Sequence, residues 1–452
     1  MKISSLQATF QQSRPNSAAF FERAKHTISG GVNGNLRYFA PFPIIFEKAD
    51  AASLIDLDGH RYVDYLLSYG ALMLGHAHPE VLKATQKVWE EQGTSSFGAT
   101  HPLEMEMTDE LLELYPSFDQ VRFTNSGLEA TLFALRLATA STGKTHIAKF
   151  EGHYHGAHDH VLQSVNPTAD LAGTTDSPQP VPESLGTPDY YRDHSVILPF
   201  NDWDACERIL TKKADRISAV IMEPLLSGYI AADRTFLKNL RELTAQLGII
   251  LIFDEVKTGF RIEVGGAQAF YGVEPDLTAL GKVVGGGFPI GVVGGKREIM
   301  ELASPLRSSK KSEVVFHSGT FNGNPLSIAA GLATIRYLKQ PGNFAQMIAS
   351  TNQLRAGIDA LAKQYDLPFQ TLGEGTIFNV MATQDSVESY RDLGKNNNQL
   401  RLALDYLLME NGVYSKPMNR FSISAAHGQT EISTTLDAFE KSMAALKQDP
   451  LV

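Results

Sequence analysis

Two nearly unbroken apolar runs, "ISAVIMEP" (217–224) and "GIILIFDEV" (248–256), leave few folds open to this chain. Both are rich in β-branched residues, and neither alternates with polar positions. Such runs suit strands of a parallel sheet covered on both faces. Between them "TFLKNLRELTAQLG" carries an apolar stripe at helical spacing and stops at Gly248, as a helix does. The alternation extends upstream. "HPEVLKATQKVWEEQ" and "GLEATLFALRLATAST" read as helices, and "VRFTN" and "HIAKFEG" as strands. Together they predict a doubly wound α/β domain with a mainly parallel sheet flanked by helices.

The ends of the chain read differently. Residues 17 to 30 predict a short helix closed by Gly30-Gly31, and Asp58-Gly59 marks a hairpin. Residues 156 to 192, rich in Pro, Ser, Thr, Asp and Gly, predict a long loop, and such loops are often functional. The expected division is an N-terminal segment over 1–78, a large domain over 79–332 and a smaller α+β domain over 333–452, which also takes in part of the N-terminal segment.

Composition excludes some roles. A formal net charge of -10 argues against nucleic-acid binding. The lone Cys206 can form no internal disulfide and no thiolate metal site. No run approaches the roughly 20 apolar residues that span a bilayer, and the N-terminus lacks a signal-peptide core. A cytoplasmic protein is expected.

Ligands of open α/β sheets bind at the carboxyl ends of the strands, and several reactive residue types fall there. "RFTNSGLEA" runs from a strand through Asn125-Ser126-Gly127 into a helix. That turn either caps the helix or cradles a phosphate on its free N–H groups. "LIFDEVKTGF" sets Asp254 and Glu255 where a strand stops. A carboxylate there either caps a turn or balances a buried cation. "LTALGKVVGGGFPIG" isolates Lys282 among apolar and glycine residues. A lysine in apolar surroundings can lose its proton and attack a carbonyl, although most lysines are surface groups. In "FEGHYHGAHDH" four histidines suggest zinc, but their spacing suits no standard site, and no metal is expected. Tyr154 in that stretch could stack on a planar ligand. A phosphate cradle, an aromatic plate, a carboxylate and a buried lysine are the parts that hold pyridoxal 5'-phosphate (PLP).

With "GGVNGNLRYF", "DLDGHRYVDY", "GHAHPEV", "FTNSGLEAT", "FEGHYHG", "IFDEVKTGFR", "PDLTALGKVVGGGFPIG" and "GTFNGNPLSIAAG" in order, the chain resembles the class III aminotransferases of PLP fold type I. It is most similar to their glutamate-1-semialdehyde 2,1-aminomutase group. The resemblance implies that Lys282 is the Schiff-base lysine and proton carrier, and that Asp254 pairs with the pyridinium nitrogen. It implies Val256 and Tyr154 on the two ring faces, and Ser126, Gly127 and the N–H of Leu128 on the phosphate. Glu223 would lie near the ring oxygen. Thr320 would reach the phosphate of the partner subunit, so the active sites would form at a homodimer interface. Arg37, and less directly Arg420, would bind a substrate anion.

Departures from the group's pattern surround the substrate: Leu128 for Thr, Tyr69 for Trp, the shortened "PMNRFSIS", and His101-Pro102-Leu103 in place of a shorter turn. "ATHPLE" and "FEGHYHG" resemble relatives acting on D-phenylglycine or β-amino acids. The expected activity is amino transfer from a small amine bearing an anionic group. The alternatives are an ammonia-lyase or phospho-lyase, on a substrate such as a 1-hydroxy-2-aminoethylphosphonate, and an aminomutase. A purely binding role would not need both Lys282 and Asp254.

Overall fold

The computed structural model describes residues 1–450, which separate into two compact units. One takes Met1–His78, Gly342–Ser386 and the chain from Gly394 onward; the other takes Pro79–Pro341 and Val387–Leu393.

The first unit begins with strands β1 (Phe46–Asp50), β2 (Ser53–Asp56) and β3 (Arg61–Asp64), antiparallel neighbours around the Asp58-Gly59 turn. The expected helix over 17–30 is shorter, Pro15–Ala24, followed by a 3-10 turn at Ser29–Gly31. Gly30 and Gly31 take φ of 64° and 73° within that later turn, the left-handed region that glycine favours.

The second unit is built on a seven-stranded sheet. Its strands are β4 (Gln120–Thr124), β5 (His146–Phe150), β6 (Ser195–Leu198), β7 (Ile217–Met222), β8 (Ile250–Asp254), β9 (Leu277–Gly281) and β10 (Gly291–Gly295). Their order is β4-β10-β9-β8-β7-β5-β6. All are parallel to one another except β10, which runs antiparallel to both neighbours. Its glycine-rich sequence gave no strand signal. The apolar runs are buried as expected: every residue of β7 is buried, and Leu251, Ile252 and Phe253 of β8 are 0% exposed.

Helix α1 (Gly127–Thr142) packs Phe133, Leu137 and Ala138 onto Ile221, Ile252, Leu277 and Val293 of the sheet. Ser126 caps it, its Oγ accepting the Glu129 N–H at 3.2 Å, and left-handed Gly143 closes it. Helix α2 (Arg234–Leu247), between β7 and β8, starts on Asp233, which accepts the Phe236 N–H at 2.8 Å, and stops at left-handed Gly248. Residues 156 to 192 are mostly irregular, with two two-residue strands and the start of a short helix.

Gly291 shows how tightly β10 fits. A Cβ there would lie 2.2 Å from the Ser126 carbonyl oxygen and 2.3 Å from Thr124 Oγ1. Gly291→Ala is expected to destabilise the protein by about 2–3 kcal/mol through overpacking. A lower urea midpoint at unchanged slope would be the signature.

The first unit closes with strands β11 (Gln370–Glu374), β12 (Ile377–Met381), β13 (Val413–Tyr414) and β14 (Phe421–Ser422). β13 joins β3 in parallel, and β11, β12 and β14 form a three-stranded antiparallel sheet. Among the described residues no helix is long and apolar enough to cross a membrane.

Candidate active site

Because β4, β5, β7, β8 and β9 are parallel, the residues that follow them meet at one edge of the sheet. A cleft of about 180 Å³ opens there. Its lining includes Gly127 and Leu128 after β4, Tyr154 after β5, Glu223 after β7, Asp254 and Val256 at β8, and Lys282 after β9.

Asp254 and Glu255 are neighbours with opposite fates. Asp254 faces the cleft and is 4% exposed; its Oδ2 lies 2.8 Å from His155 Nδ1, and its Oδ1 accepts the Val256 N–H at 3.0 Å. Glu255 points away, fully buried, and accepts the N–H groups of Ala267 and Gln268 at the start of a short helix. Burial pushes its carboxyl up to about 7. Glu255 caps a helix away from the cleft, whereas Asp254 caps its own turn through Oδ1 and presents Oδ2 at the cleft.

Glu223 is the second carboxylate of the lining. Its Oε2 accepts the Tyr154 N–H at 3.0 Å, and its Oε1 lies 2.6 Å from Lys257 Nζ. Burial would raise this carboxyl, but Lys257, His153 and His155 outweigh it and hold it at about 2. Burial, with Asp254 and Glu223 nearby, raises the Tyr154 phenol, which stays neutral.

Lys282 is half-buried and sits at φ 51°, the left-handed region. A non-glycine residue held there costs on the order of 1 kcal/mol, and such strain gathers at functional positions. Gly127 admits no side chain, since a Cβ would lie 2.6 Å from Val256 Cγ1. Ser126 stands just outside the lining as the cap of α1. Thr320 is apart from it: exposed, it lines a larger cleft of the same unit with His101, His317 and Asn322.

The histidines are otherwise engaged. His153 is fully buried, burial holds it well below its usual range, and its Nδ1 accepts the Glu223 N–H at 3.0 Å. His158 Nε2 lies 3.2 Å from Thr131 Oγ1. Among the described residues no cluster of His, Cys, Asp or Glu could hold a metal ion.

The remaining three candidates belong to the first unit, where they converge. Leu67, Ser68, Tyr69 and Gly70 all take positive φ, a left-handed turn that presents Tyr69. The Tyr69 hydroxyl donates to the Leu36 carbonyl at 2.8 Å, next to Arg37. Burial raises the Tyr69 phenol, while the charges of Arg37 and Arg420 pull it down. Arg420 rides on a loop tied to a buried pair. Arg401 donates to the Asn419 carbonyl at 2.7 Å, and Asp405 accepts the Met418 N–H at 2.7 Å.

Sequence reasoning missed His155, Thr131, Gly156 and Lys257 in the cleft. The only signal was adjacency, since each lies within five residues of a chosen position.

A family model for class III aminotransferases matches residues 37–438. The chain belongs to the class III aminotransferases. It is 40% identical to a glutamate-1-semialdehyde 2,1-aminomutase of Ignicoccus hospitalis, over 95% of this chain and 99% of that one. It is 35% identical to an omega-transaminase from Sphaerobacter thermophilus, with a TM-score of 0.90 over 95% of this chain and 97% of that one. A transaminase solved with PLP bound is 31% identical, with a TM-score of 0.87 over 96% of this chain and 99% of that one.

As a class III aminotransferase the protein is a PLP-dependent enzyme of fold type I. The cleft fits that cofactor. It offers an amine for an aldehyde, a buried carboxylate for a ring nitrogen, and a helix N-terminus whose Gly127 leaves no room for a side chain against Val256.

Proposed function

We propose that this class III enzyme transfers the amino group of a small amine bearing an anionic group. PLP supplies an electron sink that stabilises negative charge at the substrate Cα. In this reading the Lys282 amine anchors the cofactor, then takes and returns the proton at that carbon. Asp254, steered by His155, holds a proton at the ring nitrogen. Tyr154 and Val256, both in the cleft lining, would hold the ring. Ser126, Gly127 and the Leu128 N–H hold the phosphate at the start of α1. Glu223 would hold the ring on the side of its oxygen. Thr320 of the partner subunit completes the phosphate site in a homodimer. Exposure of Phe316 (74%) and Phe321 (60%) beside Thr320 supports a surface that a second copy covers.

The observation that carries the substrate class is the convergence of Arg37 and Arg420 on Tyr69. Two guanidinium groups beside a neutral phenol suit a carboxylate or phosphonate. Arg37→Ala and Arg420→Ala are each expected to raise KM for the anionic substrate about 10–100-fold with a smaller change in kcat. Steady-state kinetics with charged and uncharged analogues of one donor would check it.

The aminomutase reading is favoured by the 40% identity to the Ignicoccus protein of that name. It needs the same groups, with the amino group returned to the same substrate. A single-turnover absorbance experiment decides. D- and L-amino acids, β-amino acids, aminoethylphosphonates and glutamate semialdehyde are added singly to the PLP form without a keto acid. Stoichiometric conversion of bound PLP to pyridoxamine phosphate, without ammonia, supports amino transfer and names the donor. Isomerised semialdehyde with the PLP form restored supports the mutase. Catalytic ammonia release would overturn both in favour of a lyase.

A further inference from the structure

Lys257 is a charged group of the cleft that none of the steps above uses. It follows Val256 directly and lines the same cavity as Lys282, Asp254, Glu223 and Tyr154. Its side chain is only 12% exposed, and that of its partner Glu223 is 2% exposed. Nζ lies 2.6 Å from Glu223 Oε1 and 5.9 Å from the centre of the Tyr154 ring. The cavity thus contains two lysines and two carboxylates. Charges brought together in a buried space shift one another's proton affinity, like charges downward for an amine and opposite charges upward. An amine beside a second cation is the more readily deprotonated nucleophile. Yet Lys257 does not act alone, because Glu223 cancels its charge at contact distance.

We infer that Lys257 and Glu223 act as one neutral unit that sets the proton affinity of the Lys282 amine. Lys257 is then a positioning residue, and its value lies in the balance it strikes with Glu223 rather than in contact with substrate. The inference rests on the reading of Lys282 as the PLP anchor. The other groups facing the pair are Asp254, held by His155; Tyr154, whose N–H the carboxylate accepts; His153, which accepts the Glu223 N–H; and Lys149 of β5, whose buried amine feels the Glu223 charge. Lys149 and His153 feel the Glu223 charge themselves, so the double variant, which also lacks Glu223, is the control for any shift they contribute.

Removing one member leaves the other as an uncompensated buried charge, and the two removals have opposite signs. Without Lys257 the Glu223 carboxylate holds a proton on Lys282. Without the carboxylate the Lys257 ammonium drives that proton off. The full chain is stripped of PLP, PLP is added across a pH series, and capture is trapped with borohydride and mapped by mass spectrometry. The rate at Lys282 follows its neutral fraction. Lys257→Met is expected to raise the pH midpoint of capture by about one unit, a tenfold loss of rate on the acid side, and Glu223→Gln to lower it by a similar amount. The double variant and Lys257→Arg are expected to return within about 0.3 units of the parent. Should Lys257→Met fail to fold, the downward shift in Glu223→Gln remains decisive. Unchanged midpoints, or shifts of both singles in one direction, overturn the inference while the anchor stands. Parent protein in which PLP is trapped elsewhere than Lys282 overturns the anchor reading itself, and the inference with it.

Discussion

Lys282→Ala is expected to lower turnover by at least about 10³-fold, on the order of 4 kcal/mol of barrier. Two functions disappear together in the proposed mechanism. The cofactor loses its covalent anchor, and the proton at the substrate Cα loses the base that removes and returns it. General acid–base catalysis alone accounts for about 10²–10⁴-fold. The fold should survive, because Lys282 sits beyond the end of β9 at the cleft and is only half-buried. Lysine already bears the cost of the left-handed conformation at 282, and alanine carries the same Cβ, so no loss of stability is expected from that source. Single-turnover absorbance, borohydride trapping and a urea titration separate these effects. Turnover at the parent rate would sink the mechanism, and loss of the folded signal would leave Lys282→Arg as the cleaner test.

Asp254→Asn is expected to be the next most damaging change, costing about 10²–10³-fold in turnover. The amide keeps the size and shape of the carboxylate but carries no charge, so it cannot hold a proton on the ring nitrogen. The ring then withdraws electrons less, and the barrier to Cα deprotonation rises. His155 loses its charged partner in the same step, since its Nδ1 lies 2.8 Å from Asp254 Oδ2. PLP binding should weaken by about 10-fold or more, in line with about 1.5–3 kcal/mol for a hydrogen bond to a charged group. The discriminating measurement is the pair of kcat and PLP affinity in one preparation. A loss of affinity with kcat intact at saturating PLP would make Asp254 a binding group only.

The backbone of the cleft was legible because local rules specify it. Apolar runs covered on both faces had to become parallel strands, and parallel strands deliver whatever follows them to one edge. That is why Ser126, Tyr154, Asp254 and Lys282 could be placed at strand ends from spacing and residue type, while Glu223 came only with the resemblance. The resemblance then supplied their roles. Strand β10 was not legible, because a glycine-rich segment has no side-chain pattern; its place is dictated by the lack of room between Thr124 and Ser126.

The side-chain partnerships belong to the tertiary structure. Asp254 and Glu255 are indistinguishable as text, and burial decided that one faces the cleft while the other caps a helix. Asp254 meets His155 across 99 residues of chain, and Glu223 meets Lys257 across 34. Tyr69 comes under the charges of Arg37 and Arg420 from opposite ends of the chain, presented by a left-handed turn that only Gly70 hinted at. Sequence alone determined four of the parallel strands, their common edge and the reactive residue types there, because periodicity and turn chemistry act over a few residues. The fold decided which charges neutralise one another and which remain to act. Coulombic and hydrogen-bond energies depend on distances of a few ångströms through space, and separation along the chain says nothing of those.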